Sequence, residues 1–305
     1  MQAPDDFDPP VGRPIDVAPG VRRLLCGNAS AFTYRGTNTY ILGQGGGVAV
    51  IDPGPHDEDH LDAILGSTAP GETITHILVT HAHGDHSPLA RALARETGAP
   101  ILAYGDAFAG QSEVMQRLAA AGEIGGGEGA DPDFVPDITL ADGEEIKGDG
   151  WSVTAVWTPG HFGNHMIFDA QGTVFAGDLV MGWATSIVSP PDGDLTDFMR
   201  SCAVLRDRAP KLLLPGHGAP VEDPVARIDW LIAHRKTREA AIIEALGDGP
   251  SNAPALAERI YTDIPRQMLP AAARNVLAHL IDLMGKSLVE PQGPLTAETV
   301  FARVG

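Results

Sequence analysis

Three histidines and an aspartate fall within six residues in the stretch Thr80-His81-Ala82-His83-Gly84-Asp85-His86-Ser87. Imidazole and carboxylate are the groups that divalent metals take from proteins, so metal binding is the chemistry this density points to. Alternate side chains of an extended segment share a face, which lets His81 and His83 reach one ion. Ser87 suits an N-cap and Pro88 a first helical position, placing Asp85 and His86 at the mouth of a helix. The same design recurs three times: an apolar run, a glycine, then a donor. It gives Gly160-His161, Gly177-Asp178 and Gly216-His217. Five histidines and two aspartates are too many for one catalytic zinc, which keeps a position open for water. They suit two ions about 3.5–4 Å apart, provided one carboxylate bridges.

The elements that must position these groups are legible as strands. Runs rich in β-branched residues cover Val21–Cys26, Asn38–Leu42, Val48–Ile51, Ile74–Thr80, Ile101–Tyr104, Ile138–Leu140, Ser152–Trp157, Met166–Phe168, Thr173–Phe175 and Leu212–Leu214. Helices are expected around Leu61, Ile64 and Leu65, from Ser87 to about Thr97, around Val114 and Leu118, and from an Asp194 cap to about Arg208. Strands and helices arriving in alternating groups predict sheets with helices packed outside them. The tract over residues 122–133, rich in glycine and acidic residues, reads as a mobile surface loop.

A helix starting at Asp223-Pro224 and stopped by Gly247 opens the last part of the chain. Two more helices follow, around Leu256 and from about Pro270 to Met284, then two β-like pieces, Ser287–Val289 and Thr299–Val304. Three helices and a hairpin resemble a winged helix, a module that binds nucleic acid, packs or dimerises. Division into domains of residues 1–222 and 223–305 is expected.

Composition narrows the partners. Of 21 basic and 40 acidic residues, 9 and 10 follow Glu222, so residues 1–222 carry 12 and 30, a net of −18. An acidic body repels polyanions at long range. Arg235, Lys236 and Arg238 are the concentrated cationic candidates for RNA, and a solvated helix face is the reading preferred for them. No apolar run reaches the roughly 20 residues of a membrane span, the N-terminus has no secretory pattern, and two cysteines, Cys26 and Cys202, suit a reducing cytoplasm.

His81-x-His83-x-Asp85-His86, then His161, Asp178 and His217, resemble the metallo-β-lactamase superfamily over about 200 residues. Gly36-Thr37-Asn38-Thr39-Tyr40, Val50-Ile51-Asp52-Pro53-Gly54-Pro55, the His234-Arg235 and Arg238-Glu239 pairs and the Asn275–Leu280 helix are similar to its β-lactamase-like protein 2 family. The resemblance implies an α/β fold, an αββα sandwich with a small C-terminal helical, winged-helix-like domain. It assigns one metal to His81, His83 and His161, a second to Asp85, His86 and His217, and the bridge to Asp178. A bridging aspartate argues against antibiotic hydrolysis, since true β-lactamases generally lack it.

The expectation is a hydrolase with two divalent metal ions, zinc first and manganese or iron as alternatives, using a metal-bridged hydroxide. Its bond is an ester, thioester, lactone, lactam or phosphodiester, and its partner a small-molecule substrate. Alternatives are a single-strand RNA endonuclease, as in animal members of the family, and a metal-binding regulator without turnover. Asp85 and His165 are the expected catalytic side chains, Asp85 accepting a proton and His165 donating to substrate, with a structural role as the alternative for His165. Asp52 should orient a ligand or cap a turn, and Trp183 should wall the pocket or join the core. His56, His60, His76, His234 and His279 read as structural.

Overall fold

In a computed structural model that describes residues 6–122, 124–125 and 129–305, two sheets face each other. The first runs β1 (Ile15–Ala18), β2 (Val21–Leu25), β3 (Asn38–Leu42), β4 (Gly47–Ile51), β5 (Thr73–Leu78), β6 (Ile101–Ala103), β7 (Ile138–Thr139) in spatial order. The second, from β8 (Glu145–Lys147), continues through β9 (Ser152–Trp157), β10 (Met166–Ala170) and β11 (Thr173–Gly177) to β12 (Leu212–Pro215). Period-two alternation explains why apolar runs rather than striped ones build these strands. In β4, Val48 and Val50 face outward onto helices, while Ala49 and Ile51 face the second sheet. Across that interface stand Ala155, Met166, Phe168, Phe175 and Leu214.

Helices α1 (Glu58–Gly66) and α2 (Ala90–Thr97) cover the first sheet through Ile64, Leu89 and Leu93. On the far side of the second sheet, α4 (Leu195–Asp207) and α5 (Pro224–Leu246) pack Phe198, Leu205, Ile228 and Leu231 onto Ile167, Val174 and Leu213. The result is the expected αββα order. Each fully buried Phe or Leu in these layers contributes about 1.5–3 kcal/mol.

The end of α5 enters a separate core, where Ile242 and Leu246 meet α6 (Ala253–Ile260), α7 (Leu269–Gly285) and Phe301. Helix α3 (Glu113–Ala121) joins this core through Met115 and Leu118. Strands β13 (Ser251–Asn252), β14 (Val289–Pro291) and β15 (Val300–Arg303) form its small sheet, in the order β13-β15-β14. Among the described residues no helix is long and apolar enough to cross a membrane.

Strand direction gathers the donor positions. β4 and β5 are parallel, as are β11 and β12, and β9 runs antiparallel to β10, which runs antiparallel to β11. β9, β11 and β12 therefore end at one edge. Backbone bonds from Asn38 N–H to Gly216 O (2.7 Å) and Met166 N–H to Thr80 O (2.8 Å) tie that edge to the first sheet.

Two local expectations are corrected. Helix α2 begins at Ala90, and Ser87 does not cap it. The Ser87 hydroxyl lies instead against Asp131 Oδ2 (2.7 Å) and His83 O (3.1 Å), so Asp85 and His86 sit in a turn. Described parts of the glycine-rich tract are pinned rather than loose: Ile124 is buried, Gly84 N–H donates to Gly129 O (2.6 Å), and Asp131 N–H to Ala82 O (2.9 Å). Residues 123 and 126–128 of that tract lie outside the described residues. Strands β1, β8 and β13, of two to four residues, carry too few side chains for a readable alternation.

Asp194 caps α4 as expected, with Oδ1 taking Thr196 N–H (2.8 Å) and Oδ2 taking the Ser112 hydroxyl (2.7 Å). Asp194→Ala should lower stability by about 1–2 kcal/mol, read as a lower urea midpoint with an unchanged slope. An unchanged midpoint would show that the cap contributes nothing.

Candidate metal centre

All seven expected donors converge at the shared strand edge. His83 Nδ1 lies 2.9 Å from His81 Nε2 and 3.0 Å from His161 Nε2. His217 Nε2 lies 3.4 Å from His86 Nε2 and 3.1 Å from Asp85 Oδ2. Asp178 stands between the two groups, with Oδ2 at 3.6 Å from His161 Nε2 and 3.4 Å from His217 Nε2. Three sets of donors are compact enough to hold an ion: His81, His83 and His161; His81, His86 and Asp178; Asp85, His86 and His217.

The far nitrogen of each ring fixes what the near one presents. A carbonyl can only accept, so His161 Nδ1 donates to Ile187 O (2.7 Å) and His217 Nδ1 to Gly36 O (3.1 Å). His86 Nδ1 donates to the Asp52 carboxylate (2.9 Å). The single Thr80 hydroxyl proton goes to Asp52 Oδ2 (2.7 Å), so His81 Nδ1 donates to Thr80 Oγ1 (2.9 Å). In their neutral forms four rings therefore aim an Nε2 lone pair inward, two of them toward His83 Nδ1.

The electrostatics ask for positive charge in the same place. Burial works against the charge on His86, but Asp85, Asp178 and Asp52 outweigh it and raise its pKa to about 9. His217 rises well above the usual range for the same reason, burial being overcome by Asp178 and Asp85. Burial and neighbouring imidazoles hold His83 down to about 3, and burial lowers His81 and His161. Burial opposes ionisation of Asp85 and Asp178, yet His86 and His217 keep both below the usual carboxylate range.

A divalent metal fits this donor set. Asp178 Oδ1 is buried without a hydrogen-bond partner among the described residues. Gly216 leaves room beside it, since a Cβ there would stand 2.4 Å from that oxygen and 2.6 Å from His86 Cε1. The approach is from the half-exposed side made by His83, Gly84 and Asp85.

Behind the donors stand residues whose roles only the structure reveals. Asn38 Nδ2 donates to Pro215 O (3.0 Å) and Gly218 O (2.9 Å), and the Tyr40 hydroxyl donates to Pro215 O (2.7 Å). Together they clamp the turn that carries His217. Asn164 accepts from Ala82 N–H (3.1 Å), inside the histidine stretch. A polar Asn-Thr-Tyr run in a fully buried strand is the sequence signal for the first clamp. His60, read as structural, donates through Nε2 to Thr39 Oγ1 (2.8 Å), whose proton goes to Asp52 O (2.7 Å).

His165 packs against the backbone of Asp178. It is fully buried, its Nε2 accepts from Asp178 N–H (3.2 Å), and its Nδ1 faces Thr158 Oγ1 (3.0 Å). With both nitrogens engaged it supports Asp178, the structural role. Trp183 is half-buried rather than core, stacked on Tyr34 at 4.8 Å and packed against Gly218, next to His217.

Neither a cationic patch nor a solvated helix face is what Arg235 and Arg238 form. Arg235 is 3% exposed, donating to Ser186 O and to Asn275 Oδ1 (3.0 Å). Arg238 lies over the Tyr261 ring at 4.5 Å. Only Lys236 of the three is exposed.

Comparison with known proteins places this geometry in a wider context. The family described as Metallo-beta-lactamase superfamily matches residues 33–217, and the Beta-lactamase associated winged helix domain matches residues 253–293. The beta-lactamase-like protein 2 homolog of Drosophila melanogaster is 32% identical over 276 residues, covering 86% of this chain and 87% of that one. An atrochrysone carboxyl ACP thioesterase of Cryptosporiopsis sp. (strain 8999) is 30% identical over 259 residues, covering 82% of this chain and 70% of its own. The crystal structure of a metallo-beta-lactamase family protein from Thermus thermophilus superposes with a TM-score of 0.76 at 26% identity, covering 95% of this chain and 100% of that one.

Gly216→Ala should overpack the cradle and cost about 1–3 kcal/mol. Urea denaturation of metal-free protein measures it, and a wild-type midpoint would mean that Asp178 and His86 have room to move.

Proposed function

Because the chain belongs to the metallo-beta-lactamase superfamily, we propose that it is a dinuclear, zinc-dependent hydrolase acting on a thioester or a related ester of a small molecule. One observation carries the reading: seven donors, four of them rings with a fixed Nδ1 proton and two of them carboxylates, converge on one volume. His81, His83 and His161 would hold one ion, Asp85, His86 and His217 the other, with Asp178 between them. Imidazole-rich sites with carboxylates suit zinc. When bound, such ions polarise the substrate carbonyl and lower the pKa of water to about 7.

The chain's own residues then set the course of the reaction. Asp85, with a side chain 27% exposed, would take a proton from the attacking water. Ile187, Gly36, Thr80 and Asp52 keep the imidazole protons on the far side of each ring, so ring orientation is fixed before substrate arrives. Trp183 and Tyr34 offer an aromatic wall beside His217. Attack on the acyl carbon breaks its bond to sulfur or oxygen, leaving a carboxylate and a thiol or alcohol.

Two further points favour a small acyl substrate over RNA. The relative from Cryptosporiopsis bears the name of a thioesterase. Residues 1–222 carry a net charge of −18, and the candidate arginines for a phosphate backbone, Arg235 and Arg238, are engaged by other groups of the fold.

Elemental analysis of gently purified protein should give about two divalent ions per chain. A panel of thioesters, esters, lactones, β-lactams, phosphodiesters and single-stranded RNA should show thioester or ester turnover that a chelator abolishes. Asp178→Asn should lose one ion and at least about 100-fold in turnover while keeping its circular dichroism. Chelator-sensitive cleavage of RNA without any acyl hydrolysis would overturn the substrate assignment. Full turnover with a single ion would overturn the dinuclear one.

A further inference from the structure

The loop between Asp178 and α4 carries the carbonyl that orients His161, and the C-terminal helices hold that loop by its backbone. Ile187 O takes the His161 Nδ1 proton at 2.7 Å. On one side of Ile187, Ser186 O accepts from Arg235 of α5, and the Ser186 hydroxyl donates to Leu179 O (2.9 Å), next to Asp178. On the other side, Val188 N–H donates to Asn275 Oδ1 of α7 (3.2 Å). The same Oδ1 accepts from Arg235 Nη1 (3.0 Å), while Asn275 Nδ2 is fixed on Ala271 O (3.1 Å). Arg274, one residue before Asn275, donates to Ser189 Oγ (2.9 Å) and to Pro190 O. Further back, Arg227 of α5 donates to Met181 O (2.7 Å) and Ala184 O (2.7 Å).

Carbonyls and an amide on both sides of Ile187 are thus satisfied from α5 and α7. Val188 N–H and Ile187 O belong to one planar peptide, so holding the amide on Asn275 fixes the direction of the carbonyl. The geometry points to Asn275, together with Arg235, as a positioning residue for His161, through which the C-terminal domain sets the affinity of the metal position that His161 serves. This rests on the metal reading above. Asn275 touches no expected donor, so it acts through Ile187. An arginine suits the partner role because its planar fork reaches Ser186 O and Asn275 Oδ1 together, which a lysine ammonium on a single stem does not reproduce.

The experiment is a zinc titration of the full-length metal-free protein against a chromophoric chelator, resolving the two binding events. In Asn275→Ala one ion should bind about tenfold more weakly, the loss typical when a metal-binding imidazole loses its outer partner, with the other within twofold of wild type. Asn275→Asp keeps an acceptor for Val188 N–H and Arg235, so most of that affinity should return. In a His161→Ala background, adding Asn275→Ala should leave the remaining ion unchanged, which a general loosening of the fold would not. Should Asn275→Ala fail to fold, Arg235→Lys in the same titration should weaken the same single ion. Equal weakening of both ions, or no weakening of either, would overturn the proposal. A wild-type protein that binds no zinc, or a His161→Ala protein that still binds two ions as wild type does, would instead remove the metal reading itself.

Discussion

The buried carboxylate of Asp52 is the contact on which the site's geometry turns. Its oxygens accept from Thr80 N–H, from the Thr80 hydroxyl and from His86 Nδ1, all within 2.9 Å. Its backbone is engaged as well, the amide donating to Leu78 O and the carbonyl accepting from Thr39. These bonds hold a residue at φ 51, a left-handed conformation that costs about 1–3 kcal/mol for a side chain other than glycine. One carboxylate thereby joins the ends of β4 and β5, fixes the tautomer of His81 through Thr80, and counters the charge on His86. Without it the histidine stretch would have no floor.

Much of this was legible from the chain itself, and the reasons are physical. Apolar runs buried on both faces mark strands whatever their partners, and a donor placed after a glycine at a strand end has few other uses. The failures share a different cause: a side chain satisfied by a residue remote in sequence. Ser87 looks like a cap until Asp131, 44 residues away, takes its proton. His165 looks available until its two nitrogens meet Thr158 and the amide of Asp178.

The arginines of α5 are the instructive case. Arg235, Lys236 and Arg238 are close in sequence, and closeness in sequence reads as a charged patch. Helical periodicity reads otherwise, because Arg227, Leu231, Arg235, Arg238 and Ile242 recur at three- and four-residue spacing on one stripe. That stripe faces the protein, where Leu231 and Ile242 are buried and the guanidinium groups cap carbonyls. Period, weighed against charge, would have placed them correctly.

Helix α5, 23 residues and about 34 Å long, begins on the sandwich and ends in the winged-helix core. It is therefore not a linker in any mechanical sense. A chain cut before it would lay bare Phe198, Cys202 and Leu205 and leave Met181, Ala184 and Ser186 without their guanidinium donors. The two ends of the protein are consequently one mechanical piece. A different sandwich could carry these helices only if its own loop offered carbonyls where Met181, Ala184 and Ser186 offer theirs.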